Sequence, residues 1–137
     1  MRKIAILITL IMLLASLAGC AGDDDEQGCL SDDGLSGDDL SYTDLSYADF
    51  SCADLSYADL EFTNLEFTNL SYADLSFTDL NSVNLHNADL SGANLSNADL
   101  SNADLSFADL TDVNWHDTTC PDGTNSDDNG DTCENNL

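Results

Sequence analysis

The chain has 137 residues, enough for one modest domain, and sets 27 Asp and Glu against two Lys and Arg, a formal charge of −25 at pH 7. Such a chain is repelled by nucleic acid and by anionic headgroups, and it lacks the clustered Lys and Arg of a nucleic-acid interface, so no direct nucleic-acid binding is expected. Cations, basic proteins and surfaces met through apolar patches are the partners left.

Residues 1–19 read as a segment outside the fold. Arg2 and Lys3 precede an apolar run over 4–17, which has the layout of a secretory signal and is too short for a membrane span of about 20 residues. The following Leu17-Ala18-Gly19-Cys20 resembles the lipobox of bacterial lipoproteins. That resemblance implies that Cys20 becomes the first residue and is acylated, palmitate among the chains, with two or more chains giving a stable membrane anchor. Ordinary signal cleavage near Ala18 or Ala21 is the plainer alternative. Both basic residues lie in this segment, so the mature side chains carry no positive group. Ala21 rather than Asp after the lipid cysteine implies, by the lipoprotein sorting rule, an extracytoplasmic outer-membrane position where the cell has one.

Residues 20–28 form an acidic stretch that reads as a self-repelling tether. Over 29–40 large apolar residues recur at Leu30, Leu35 and Leu40, yet the positions two before Leu35 and Leu40 hold Asp33 and Asp38. Buried carboxylates are costly, so this segment is expected to be a capping turn.

From 41 to 117 the pattern is strict. A large apolar residue falls at every fifth position from Leu40 to Trp115, all leucine but for Phe50 and Trp115. Two places before it, from Thr43 to Val113, stands only Ala, Thr or Val, and immediately before it only Asp or Asn. A helix places apolar residues three and four apart and a strand two apart, so a period of five marks a coil that turns a corner at each repeat. The unit Ala98-Asp99-Leu100-Ser101-Asn102 resembles the A-[DN]-L-x-x signature of the pentapeptide-repeat family. The resemblance implies an all-β, right-handed quadrilateral β-helix with four repeats per coil and the leucine and small residue facing inward. About four coils result, a shaft on the order of 19 Å at ~4.8 Å per layer.

Residues twenty apart then stack in columns. Second after the central residue come Tyr42, Tyr47, Cys52, Tyr57, Phe62, Phe67, Tyr72 and Phe77, followed by mostly small polar residues. The pairs Tyr42 with Phe62, Tyr47 with Phe67 and Tyr57 with Phe77 are expected to stack. They serve either as rungs that stabilise the shaft or as an aromatic collar that docks a protein partner or drives self-association. The Asp and Asn positions form further columns, with Asp39, Asp59, Asp79 and Asp99 unrelieved by Asn, a solvated acidic face or a weak ladder for divalent cations. His86 and His116 lie one and a half coils apart and cannot share a metal, and a convex shaft supplies no oxyanion hole, so no catalysis is expected.

The beat is expected to stop at 118, where a loop rich in Asp, Asn and Gly begins. In an oxidising compartment a disulfide between Cys120 and Cys133 is the natural expectation, and Cys29 lies close to one coil below Cys52, which suits a second bridge. Four cysteines allow three connectivities, so other pairings stay open. Asn125-x-Asp127-x-Asn129-Gly130, with Asp131 beyond it, resembles the first half of a calcium loop, but it opens on Asn and has Asn136 where the closing Glu belongs. No cofactor is expected unless this loop takes calcium.

The function expected is a non-catalytic, lipid-anchored acidic rod acting as a structural or protein-interaction module. Two alternatives stand beside it. The family resemblance implies a DNA mimic that binds topoisomerases such as gyrase, against which an extracytoplasmic location argues. A calcium-dependent binding or adhesion module is the other.

Overall fold

The computed structural model describes residues 35–134. The expected signal segment, Cys20, the tether, Cys29 and Asn136 lie outside the described residues. Among the described residues no helix is long and apolar enough to cross a membrane.

Each repeat is a tight turn followed by two extended residues. In Leu45-Ser46-Tyr47-Ala48 the Ala48 amide donates to the Leu45 carbonyl at 3.2 Å, and Tyr47 sits at φ 62°. A positive φ at the second central residue is the mark of a type II turn. The same position is left-handed in every repeat from Tyr42 to Asp117, Gly92 included. Parallel bridges then join residues twenty apart, as in the column Asp39, Asp59, Asp79, Asp99 and Thr119.

Backbone donors account for the rest of the pattern, because every buried N–H needs an acceptor. The central and left-handed residues donate to the next coil, Leu45 to Asn64 O at 2.9 Å and Tyr47 to Glu66 O at 3.0 Å. The Asp or Asn amide donates to the previous coil, Asn64 to Thr43 O at 2.9 Å. The small residue closes the turn. That leaves the amide just after the central residue, and the Asp or Asn side chain accepts it: Ser46 N to Asp44 Oδ1 at 3.2 Å, Ser91 N to Asp89 Oδ1 at 2.9 Å, Thr111 N to Asp109 Oδ1 at 3.0 Å. This is an Asx turn, and Asp and Asn are the residues able to make it two positions ahead.

The leucines from Leu40 to Leu100 fill the axis and are buried. Small residues sandwiched between coils, such as Ala73, Ala93 and Ala98, are buried beside them, whereas Ala48 and Ala103, near the two ends of the ladder, are only half-buried. Threonine at this position bonds the coil before it, Thr63 Oγ1 to Leu40 O at 3.0 Å and Thr78 Oγ1 to Leu55 O at 2.9 Å. No buried side-chain nitrogen or oxygen among the described residues lacks a partner.

Both ends of the ladder reach further than the sequence pattern suggests. At the start, Leu35 N donates to Asp54 O at 3.1 Å and Gly37 N to Ser56 O at 2.9 Å, so 35–40 already follows the repeat. Asp38 is exposed, and the burial cost expected for it does not arise. At the other end, residues 118–121 form one more repeat: Thr118 takes the small position and bonds Leu95 O at 2.7 Å, Thr119 pairs with Asp99, and Cys120 closes the axial series fully buried. Threonine and cysteine are compact enough for these slots although neither matches the A-D-L pattern.

The tail folds back on that last repeat. Thr119 and Asn125 form an antiparallel bridge, Cys120 N donates to Thr124 O at 2.7 Å, and a 3-10 helix Ser126–Asn129 follows. Ser126 is buried, with its hydroxyl donating to the Trp115 carbonyl and accepting from Thr118 N at 3.0 Å. A disulfide joins Cys120 and Cys133, whose Cα atoms are 5.3 Å apart. The tail thereby covers one part of an edge that would otherwise be open to pairing.

Candidate interaction surface

The left-handed corner position points its side chain outward. Eight aromatic residues occupy it: the seven expected to form the collar and, in the same columns, Phe107, which is 83% exposed. For a residue with a bulky side chain this conformation costs roughly 1–2 kcal/mol relative to glycine, and Asn bears it more easily. The upper coils use Ser82, Asn87, Gly92, Asn97 and Asn102 at the same place, so the turn itself does not call for aromatic rings.

Stacking offsets part of that strain. Tyr42 and Phe62 stack at 5.0 Å, Tyr47 and Phe67 at 5.1 Å, and Tyr57 and Phe77 at 4.8 Å. Aromatic pairs of this kind contribute about 0.5–1.5 kcal/mol. In the fourth column Tyr72 lies against Gly92: a Cβ built there would come within 2.6 Å of the ring. Glycine at 92 thus serves both the left-handed backbone, φ 69°, and the ring packed on it.

One corner carries a ridge that column arithmetic does not reveal. Above Phe67 the column holds Asn87, yet the neighbouring His86 places its imidazole edge-on to Phe67 at 6.4 Å and to Phe107 at 5.4 Å. Tyr47, Phe67, His86 and Phe107 therefore run as a continuous series of rings. The available signals were the isolated aromatic at 107 and a histidine one residue from the gap.

The Asp and Asn columns serve the backbone first. Asn side chains also tie coils together, Asn64 Nδ2 to Asp44 Oδ1 at 3.0 Å and Asn94 Nδ2 to Asp74 Oδ1 at 3.1 Å. Asp39, Asp44 and Asp54 are held below the ordinary carboxylate pKa, chiefly by the hydroxyl of the serine two residues on and then by its amide. Asp109 and Asp122 are held down likewise by Thr111 and Thr124. Asp104 is lowered by the Ser106 hydroxyl and amide, with a smaller contribution from the charge of His86. Among the described residues no group of three or more His, Cys, Asp or Glu could hold a metal ion.

In the tail, Asn125 caps the 3-10 helix through Oδ1 and Asp127 N, while its Nδ2 donates to Asp117 Oδ1 at 2.8 Å. Asp127 Oδ1 accepts from Asp117 N at 2.8 Å and lies 3.7 Å from His116 Nδ1. Asn129 Nδ2 donates to Thr124 Oγ1 at 2.7 Å, and Asp131 is an exposed left-handed residue. The side chains considered for calcium thus include three that brace the folded tail. Cys52 is also disulfide-bonded.

Outward rings and Asx-closed turns on a leucine-filled coil define a β-helical repeat protein. The description Pentapeptide repeats matches the sequence in eight copies, over residues 35–71, 48–87, 58–97 and 79–114. The chain belongs to the pentapeptide-repeat family. A crystal structure of the pentapeptide repeat protein Rfr23 from the cyanobacterium Cyanothece 51142 is similar, with a TM-score of 0.61 and 38% identity, covering 62% of this chain and 58% of that one. HetL from the cyanobacterium Nostoc sp. strain PCC 7120, described as involved in heterocyst differentiation regulation, is 35% identical over 69% of this chain and 50% of its own, with a TM-score of 0.38. The chain thus spans only 58% and 50% of the lengths of these two relatives. No curated protein matches the sequence. The fold is accordingly a right-handed β-helix, the form shared with the first of these structures.

Proposed function

We propose that this protein is a non-catalytic interaction module: a rigid acidic rod of about four coils, held outside the cytoplasmic membrane through a lipidated Cys20 and meeting a protein partner through its aromatic corners. The observation that carries the reading is the placement of exposed rings at strained left-handed positions, where Ser, Asn and Gly make the same turn in the upper coils. Asn and Gly bear that backbone more easily than an aromatic residue, and contiguous exposed apolar surface marks an interaction site. The uniform acidity keeps such a surface soluble until its partner arrives.

Cross-linking the anchored protein in its native membrane tests this. The wild type is compared with a variant carrying Tyr47→Asn, Tyr57→Asn, Phe67→Asn and Phe77→Asn, whose melting temperature shows that the shaft is intact. Adducts of the wild type should vanish in the variant, and an unchanged adduct pattern refutes the collar. Cys20→Ala should move the protein from the membrane fraction to the soluble one; unaltered partition removes the anchor from the proposal.

A further inference from the structure

The ridge of Tyr47, Phe67, His86 and Phe107 differs from the other corners in its length and in its setting. Its ring-to-ring steps are 5.1, 6.4 and 5.4 Å, so no gap breaks it from the first described coils to the last. Glu66 occupies the same position in the repeat below as His86 does above, and Asp104 is close enough to His86 to respond to its charge. Tyr47 and Phe107 are 74% and 83% exposed. No Lys or Arg occurs in residues 35–134, so no permanently charged basic side chain of the described chain competes for these rings and the carboxylates beside them.

An aromatic face attracts a cation within about 6 Å of its centroid, and neighbouring carboxylates strengthen the attraction. A second copy of the chain is a poor occupant, because each carries a formal charge of −25. An anionic lipid surface is repelled for the same reason. Arginine fits best: its guanidinium is planar, stacks on rings and pairs bidentately with a carboxylate, whereas the lysine ammonium is a strongly hydrated point charge. An extended segment presents alternate side chains about 6.6 Å apart, close to the steps of the ridge.

We propose that this ridge docks an extended, arginine-bearing segment of a partner protein, with guanidinium groups laid on His86 or Phe107 and their charge met by Glu66 and Asp104. The inference rests on the interaction reading above and names the chemistry of the partner.

The test uses the full-length protein and three labelled peptides of equal length that alternate serine with arginine, lysine or glutamine. Fluorescence anisotropy at physiological salt should show the arginine peptide binding about fivefold or more tighter than the lysine peptide, and no saturation by the glutamine peptide. Phe67→Asn combined with Phe107→Asn should weaken the arginine peptide by about tenfold, whereas Ser82→Asn, at a left-handed corner without a ring, leaves it within about twofold. Asparagine suits the left-handed backbone, so these variants keep the fold. Equal binding of arginine and lysine peptides, indifferent to the ridge variant, reduces the attraction to bulk charge and overturns the proposal. Binding of the glutamine peptide, or saturable self-association in sedimentation, overturns it in favour of an apolar docking face or a second copy. Ring-dependent cross-links in the membrane without arginine preference sink this inference alone; cross-links that ignore the rings sink the interaction reading itself.

Discussion

Replacing Gly92 by alanine probes the corner geometry where a glycine lies under an aromatic ring. The backbone is at φ 69°, which costs an alanine roughly 1–2 kcal/mol. The new methyl also falls 2.6 Å from Cδ1 and Cε1 of Tyr72. That ring is exposed on its other side and can swing away, so the clash costs the packing of Tyr72 on the coil above, about 0.5–1 kcal/mol. The sum is about 2 kcal/mol, or a drop in Tm of roughly 10 °C for a domain of this size. Gly92→Asn separates the two contributions, since it tolerates the backbone and still displaces the ring. In a Tyr72→Ser background the penalty of Gly92→Ala should fall by the ring contribution alone, measured by thermal unfolding of the four members of a double-mutant cycle. An unchanged Tm for Gly92→Ala, or strict additivity with Tyr72→Ser, refutes the argument.

Three further outcomes follow from the same structure. Leu90→Asp puts a carboxylate in the fully buried axis and should abolish the cooperative melt, whereas Asn97→Asp at an exposed left-handed corner should leave Tm nearly unchanged. Reducing the Cys120–Cys133 bridge removes a constraint worth about 3 kcal/mol for a loop near this length and frees the tail from the Trp115 carbonyl. The emission of Trp115, the one tryptophan and only 4% exposed, should shift to the red on reduction while the coil signal in circular dichroism persists. Carboxylates such as Asp39, Asp44 and Asp109 have folded pKa values below the unfolded one, so they stabilise the fold above pH ~4 and that stabilisation is lost as pH falls through the folded values. Tm should therefore decline below about pH 4, and a steady rise to pH 2.5 would show that relief of charge repulsion dominates instead.

Periodicity predicts the axial leucines, and the four-repeat coil that the family resemblance implies adds the twenty-residue columns and the stacked pairs of Tyr42, Tyr47 and Tyr57 with their phenylalanines, because each is a matter of position within a repeat. The Asp and Asn columns were equally visible but their work was not. Only a complete count of backbone donors shows that Asp89 or Asp109 is there to accept the amide two residues on. The ridge was hidden for a related reason: His86 belongs by sequence to a different column, and only the reach of its side chain sets it between Phe67 and Phe107.

The ends of the shaft divide in the same way. A repeating sequence determines the interior of a solenoid by itself, since each coil meets neighbours like itself and the same side chain is correct every time. At the ends there is no such neighbour, and the outcome depends on what the chain brings back. Asp38 is harmless because it remains in water, and Thr118-Thr119-Cys120 completes a further repeat because a tail folds over it and Cys133 closes on the axis. Those contacts join residues with no shared period, so the tertiary structure alone decides them.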